Sequence, residues 1–220
     1  MNEKPFYIKQ ALSFGYSSFK VHFKNLSLLT LIYLASEIVI LFLQYVVMPN
    51  ESELFYNGLG FIFSVFNMGL ALGMARIMLN IHDGVEYKIN YIFQEFHYLP
   101  RYFVASVLLA ILILIGLIFL ILPGIYIAIT CQFFYFFIIE NDSKIIDSLK
   151  LSMQIARKYF WQLLLFELAC LGLNILGLAA LVIGIFITLW ITALANVFVY
   201  RKLLELANDN IKEEQSIITL

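Results

Sequence analysis

The chain has 220 residues, of which 62% are hydrophobic and 13% are charged. A soluble domain of ordinary composition is about 45–50% apolar and about 25% charged, so this composition excludes a water-soluble globular fold. Fourteen Lys and Arg nearly balance fifteen Asp and Glu, and almost all of these charges lie outside four long apolar runs. The runs indicate an integral membrane protein.

The four apolar runs predict six membrane-spanning α-helices. A bilayer core of about 30 Å needs about 20 helical residues, which fits the runs 26–48 and 54–75 as one span each. The runs 102–139 and 160–200 are nearly twice as long and are interpreted as two-span hairpins. The predicted spans are 26–48, 54–75, 102–121, 123–139, 160–180 and 182–203. Strands are excluded because the runs do not alternate with a period of two, whereas a helix pairs its own backbone groups in lipid.

An amphipathic segment precedes each hairpin. In 143–160, apolar side chains follow helical spacing on one face and charged side chains occupy the other, as in a helix at a membrane interface. Segments 8–23 and 89–98 show the same pattern less clearly. The predicted fold is therefore an all-α membrane bundle of six transmembrane helices, in three hairpins that each follow a cytoplasmic interfacial amphipathic helix. The alternative is that any loop before a span tends to be amphipathic.

Turns within the hairpins are expected at Leu122-Pro123-Gly124 and near 179–184. Proline cannot continue a helix, and glycine frees the backbone. We expect residues 1–220 to form a single transmembrane domain, with a short polar cytoplasmic tail at 205–220.

The distribution of Lys and Arg predicts the topology. All fourteen basic residues fall before span 1, between spans 2 and 3, between spans 4 and 5, or at and after the end of span 6. The other three loops contain none. Short loops rich in Lys and Arg stay on the cytoplasmic side, so both termini are expected to be cytoplasmic in a plasma (inner) membrane protein.

Several short motifs resemble uncharacterised bacterial membrane families with six spans. One of these families is named for the membrane domain of glycerophosphoryl diester phosphodiesterase, and another is a small family of six-span inner-membrane proteins. The motifs are 122–126, 140–142, 156–161, 11–16 and 73–93. The resemblance implies a plasma-membrane protein of six spans. Phosphodiesterase activity belongs to a separate barrel domain in that family, so no catalytic residue is carried over and no enzyme is expected.

Two carboxylates, Glu37 and Glu167, fall inside predicted spans. A charged side chain at the bilayer centre costs at least about 2.5 kcal/mol, so such groups face the bundle interior or a water-filled cavity. The candidate intramembrane polar site also includes the amides Asn67, Gln132, Asn174 and Asn196. One interpretation is a site coupled to protons or cations, and the other is hydrogen bonding between helices.

The remaining motifs carry weaker signals. Gly69 and Gly73 form a GxxxG pattern that permits close helix packing, either within the bundle or between copies of the chain. Cys131 and Cys170 fall inside spans and are expected to be packing residues. No cofactor or metal is expected. A membrane-embedded enzyme would have to use residues from the group His82, Asp83, Glu95 and His97, whose spacing matches no known motif.

Basic residues next to aromatic residues are the candidate contacts to lipid head groups. They are Lys20, Lys24, Arg101, Arg157 and Lys158. Such pairs anchor proteins at anionic membrane surfaces and require no nucleic acid. The expected partners are membrane lipids, with a membrane protein or a second copy of the chain as further possibilities. The leading hypothesis is a non-enzymatic protein that organises or assists other membrane components. The alternative is a small transporter or channel for a solute or lipid that uses Glu37 and Glu167.

Overall fold

The chain is helical, with six segments suited to crossing a membrane. A computed structural model describes residues 5–47 and 52–218, with side chains omitted at 47, 181–183, 210–211 and 213–218. Helices account for 91% of it, and the described residues contain no strand. The apolar segments are Ile8–Val46, Glu53–Asp83, Ile89–Phe119, Ile121–Asn141, Ile145–Ala179 and Gly184–Asp209. The predicted all-α membrane architecture with six apolar helices is confirmed at this level.

Eight α-helices follow one another in the described chain. They are α1 (Ile8–Phe42), α2 (Glu53–Asp83), α3 (Leu99–Phe119), α4 (Ile121–Thr130), α5 (Phe134–Asn141), α6 (Ile145–Ala156), α7 (Phe160–Ala179) and α8 (Leu181–Ile218). A π-helical turn, Leu43–Val47, continues α1, and 3₁₀ segments occupy Ile89–Tyr98 and Arg157–Tyr159.

The amphipathic segment 8–23 is the first half of α1 rather than a separate helix. Helix α1 runs unbroken from Ile8 to Phe42, and its only glycine, Gly15, has a packing role. The backbone carbonyl of Ile191 in α8 lies where a Cβ on Gly15 would be. Close approach of α8 therefore explains the glycine, and the amphipathic segment and the span form one continuous helix.

The turn between α3 and α4 lies at Leu120, so its predicted position at 122–124 is two residues too late. Leu120 is extended (φ −164°, ψ 141°), and α4 begins at Ile121. Pro123 therefore occupies the first turn of a helix, where its missing N–H would be unpaired in any case. Gly124 lies against Gly116 of α3, with the position of a Gly116 Cβ only 2.8 Å from the Gly124 nitrogen. This pair allows the two helices to approach closely.

The predicted fourth span is interrupted at Cys131, Gln132 and Phe133. Helix α4 ends at Thr130 and α5 begins at Phe134. Ser152 of α6 bonds to both sides of the break, because its hydroxyl donates to the Thr130 carbonyl at 2.9 Å and accepts the Phe133 N–H at 3.0 Å. Backbone groups freed by a break in a membrane helix need such partners, so the sequence of α6 stabilises the break in its neighbour.

The buried face of α6 includes both apolar and polar side chains. Leu149 and Ala156 are buried as the apolar periodicity predicts, whereas Ile146 is 58% exposed and Ser148 and Ser152 are fully buried. Helix α6 packs along α5, α4 and α3, and Ser152 is on this face where it bonds to the helix break. The charged residues Lys144, Asp147, Lys150, Arg157 and Lys158 are all exposed.

Helices α1 and α8 pack together over much of their length, and α7 pairs with α8 across a tight turn. Helix α7 ends at Ala179 and α8 begins at Leu181, within the predicted turn region. The largest buried cluster surrounds Tyr200, which stacks on Phe136 with ring centroids 4.6 Å apart. The polar tail predicted from residue 205 onward continues the α8 helix to Ile218.

We predict that Ser152→Ala lowers the free energy of unfolding by about 1–3 kcal/mol, because it leaves a buried carbonyl and a buried N–H without partners. Ser17→Ala is the matched control, since the Ser17 hydroxyl is exposed and bonds only within its own helix. Unfolding in mixed micelles, followed by circular dichroism, measures both variants. Equal stability of the two would contradict the role assigned to Ser152.

Candidate functional site

The two intramembrane carboxylates have different partners. Glu37 of α1 accepts a hydrogen bond from the Asn67 amide of α2, with Nδ2 and Oε1 2.6 Å apart. The Ser36 hydroxyl lies 2.5 Å from Asn67 Oδ1 and 2.7 Å from the Tyr33 carbonyl, and Asn67 is only 7% exposed. Ser36, Asn67 and Glu37 therefore form a polar link between α1 and α2.

Glu167 of α7 adjoins the break between α4 and α5. Its neighbours include Gln132 from the break, Tyr135 of α5 and Cys170 of α7. Glu167 Oε1 and Gln132 Nε2 are both buried, and neither has a hydrogen-bond partner among the described residues. A buried polar atom without a partner is costly in a membrane interior, and Asn174 Oδ1 is a further example among the candidate residues.

The remaining candidate amides lie between α7 and α8. Asn174 donates to the Thr192 hydroxyl at 3.4 Å, and Asn196 donates to the Thr192 backbone carbonyl at 3.3 Å. The six candidate polar residues thus divide into three groups. In the described contacts, Glu37 and Glu167 share no partner.

Gly69 and Gly73 pack against the 3₁₀ segment Ile89–Tyr98. The Phe96 ring lies 2.6 Å from the position of a Gly69 Cβ, and the Ile92 backbone occupies the corresponding position at Gly73. Larger side chains at either position would push this segment away from α2. The GxxxG pattern therefore has a contact within the bundle.

Arg201 of α8 is held by two carboxylates from distant parts of the chain. Its guanidinium binds both oxygens of Asp83, at the end of α2, and both oxygens of Glu140, at the end of α5. The Tyr200 hydroxyl also donates to Glu140 at 2.8 Å. The Arg201 and Glu140 side chains are 20% and 15% exposed, and Asp83 is 35% exposed. The Arg201–Glu140 pair is therefore largely buried, and both pairs are bidentate, which is the strong kind of ion pair.

Two further arginines make similar contacts. Arg76 of α2 binds Glu95, at 2.9 Å, and the Ile139 carbonyl. Arg101 of α3 binds the Asp142 side chain and backbone. We refer to Arg76, Arg101 and Arg201 together as the arginine cluster. Glu95 is 6% exposed, and its pairing with Arg76 offsets the cost of burying its charge.

The five basic residues predicted to contact lipid head groups differ in their partners. Arg101 is paired with a carboxylate, whereas Lys20, Lys24, Arg157 and Lys158 are exposed and have no carboxylate partner within residues 5–47 and 52–218. Lys20 and Lys158 instead lie over tyrosine rings, 5.7 Å from Tyr16 and 5.6 Å from Tyr159. Head-group binding by all five stays a prediction.

The histidines are held by neighbouring residues. His82 Nδ1 lies 3.0 Å from Asp83, and His97 Nδ1 lies 2.8 Å from the Gln94 carbonyl. His22 Nδ1 lies 2.8 Å from the Tyr87 hydroxyl. In the described chain, His, Cys, Asp and Glu side chains form no group of three that could hold a metal ion.

An apolar groove separates the start of α4 from the start of α7. It measures about 470 Å³ and is lined by Leu122, Pro123, Tyr126, Ile127, Phe160 and Trp161. The Tyr126 and Phe160 rings are 5.1 Å apart. The predicted topology puts residue 122 and residues 157–161 near opposite membrane faces, whereas here they line or flank one groove. The reason is that α6 packs antiparallel to α4 and α5, which brings its last turn beside the beginning of α4.

Comparison with known protein families, with curated proteins and with solved structures found no match to this chain. The resemblance of residues 122–126 and 156–161 to six-span bacterial families stays a prediction.

We predict that Arg201→Gln lowers the free energy of unfolding by about 3 kcal/mol, because it leaves Glu140, whose side chain is only 15% exposed, as an uncompensated carboxylate. Lys202→Gln is the control, since the exposed Lys202–Glu205 pair is of a kind that contributes about 0–1 kcal/mol. Unfolding in detergent compares the two variants. A small effect of Arg201→Gln would mean that the arginine cluster is not a structural centre.

Proposed function

We propose that this chain is a non-enzymatic, multi-pass plasma-membrane protein that organises or assists other membrane components through its basic end. The observation that carries the proposal is a division of charge. The arginines of the arginine cluster bind carboxylates of the chain itself, whereas Lys20, Lys24, Arg157 and Lys158 are exposed and free of carboxylate partners in the described chain. Exposed basic groups beside aromatic rings bind anionic head groups, each contributing about 1 kcal/mol near the surface.

Contacts between distant segments support a single basic side. Phe14, before the first predicted span, packs on His82 with ring centroids 5.0 Å apart. His82 is followed by Asp83, which binds Arg201 together with Glu140. This chain of contacts links the N-terminal segment, the connection after span 2, the end of span 4 and the end of span 6. By the distribution of Lys and Arg, this side is cytoplasmic, and both termini lie there.

The exposed charged face of α6 also supports contact between this helix and the membrane surface. Lys144, Asp147 and Lys150 are exposed, while the opposite face packs on α3, α4 and α5. In this proposal, α6 begins at the cytoplasmic side and runs back along α5 and α4, with its charged face towards water and head groups. The hairpins of the predicted six-span arrangement are α1–α2, α3 with α4–α5, and α7–α8.

Purification in a mild detergent tests the function. We expect anionic lipid or a specific membrane protein to be enriched over the bulk membrane. We expect this enrichment to fall in Lys20→Gln/Lys24→Gln and to persist in Glu53→Gln, which alters an exposed charge at the opposite end of α2. Mass spectrometry of bound lipid and protein gives the answer. If nothing is enriched with the wild-type protein, the proposal is wrong.

Cysteine labelling tests the topology. In a background with Cys131 and Cys170 replaced by Ala, we expect Lys9→Cys, Glu86→Cys and Lys212→Cys to react with an impermeant maleimide only from the cytoplasmic face. Glu53→Cys is the control and should react only from the opposite face. Labelling of Lys9→Cys and Lys212→Cys from opposite faces would contradict an even number of spans.

Transport is the second candidate function, and the helix break favours it. Discontinuous membrane helices often present backbone and side-chain groups to ions, and Glu167 Oε1 and Gln132 Nε2 are buried without hydrogen bonds in the described chain. We expect Glu167→Gln to abolish any proton- or cation-coupled flux in proteoliposomes. Glu37→Gln should leave flux intact, because Gln can still accept the bond from Asn67. Unchanged flux in Glu167→Gln, or no flux at all, removes this candidate.

A further inference from the structure

The groove between α4 and α7 has apolar walls with exposed aromatic side chains. Tyr126, Phe160 and Trp161 form one side-chain row, with Tyr126 and Phe160 5.1 Å apart and Phe160 and Trp161 5.3 Å apart. Trp161 is 71% exposed and Leu122 is 73% exposed. The lining residues include no charged side chain. In a membrane protein, such a surface faces acyl chains, and Trp and Tyr mark the level of the head groups.

Positive charge lies directly beside this groove. Arg157 and Lys158 occupy the short 3₁₀ segment that leads into Phe160, and both are exposed. The chain has four arginines, and three of them bind carboxylates in the arginine cluster. Arg157 is the exception within the described residues. Its guanidinium is therefore available to an external anion, and its planar fork suits a phosphate group.

From these two features we propose that the groove binds one anionic phospholipid, with an acyl chain along Tyr126, Phe160 and Trp161 and its phosphate at Arg157 and Lys158. The proposal rests on the proposed lipid-binding function and specifies its site and ligand class. An apolar groove alone would accept any acyl chain. The two basic residues at its edge are what select an anionic head group.

The two tryptophans of the chain allow a direct test. Trp161 lines the groove, whereas Trp190 is 8% exposed and donates to the Thr30 hydroxyl at 2.8 Å. The Trp190→Phe variant retains only Trp161, so its fluorescence reports on the groove. The Trp161→Phe variant retains only the buried Trp190 and is the control. Each variant is reconstituted in phosphatidylcholine vesicles with a minor share of phosphatidylglycerol. In one sample the phosphatidylcholine has brominated acyl chains, and in the other the phosphatidylglycerol does. The total amount of bromine is the same in both samples.

We expect brominated phosphatidylglycerol to quench Trp161 about fivefold or more beyond brominated phosphatidylcholine, the enrichment expected from even one basic residue near the surface. Trp190 should show no preference. Arg157→Gln/Lys158→Gln should abolish the preference, and Arg157→Lys/Lys158→Arg should retain it. Lys144→Gln/Lys150→Gln is the matched control, because it removes two exposed charges at and within α6, which precedes the 3₁₀ segment, and neither residue lines the groove. It should leave the preference intact.

Two results would overturn the proposal. Equal quenching of Trp161 by the two brominated lipids would show that the groove does not select anionic lipid. An equal loss in Lys144→Gln/Lys150→Gln would show that net charge, rather than the groove, causes the preference. Either result, together with anionic lipid still enriched in the purified wild-type protein, would refute this site and leave the proposed function standing. The absence of any enriched lipid or protein would refute the proposed function itself.

Discussion

Arg201 joins helix ends that are far apart along the chain. Its guanidinium holds Asp83 of α2 and Glu140 of α5 at once, and Tyr200 supports Glu140. Such a group is costly to bury and is stable only when its charge and hydrogen bonds are matched. This one side chain therefore joins α2, α5 and α8, and α8 also packs along α1. Arg76 and Arg101 extend the same arrangement to the 3₁₀ segment and to α3.

The helix break depends on this arrangement. Helix α5 is anchored at its end by Glu140 and the Ile139 carbonyl, while α4 is anchored at its start by close packing of Gly124 on Gly116. Ser152 then supplies the two hydrogen bonds that the interruption between them requires. The same interruption places Gln132 next to Glu167, so the surroundings of this intramembrane carboxylate depend on how α6 packs.

The division of basic residues links this architecture to the proposed function. Arginines that pair with carboxylates hold the bundle together, and the basic residues left exposed are available to the membrane. Arg157 and Lys158 belong to the exposed group, and the antiparallel packing of α6 brings them beside an apolar groove. A lipid bound there would contact α4 and α7 together, and its binding would depend on the helix packing.

The sequence by itself determined the membrane class, the helical content and the number of apolar helices, because these follow from the length and uniform hydrophobicity of each run. It also identified which polar residues lie inside spans. It did not determine their partners. Glu95 and Arg76 are nineteen positions apart and Arg201 and Asp83 are 118 apart, and no local pattern encodes such pairs. Nor could apolar periodicity assign Ser152 to the buried face of α6, since its hydroxyl pairs with the break in another helix. Only tertiary packing decides which polar groups meet, because in an apolar medium each one must find its partner wherever the chain brings it.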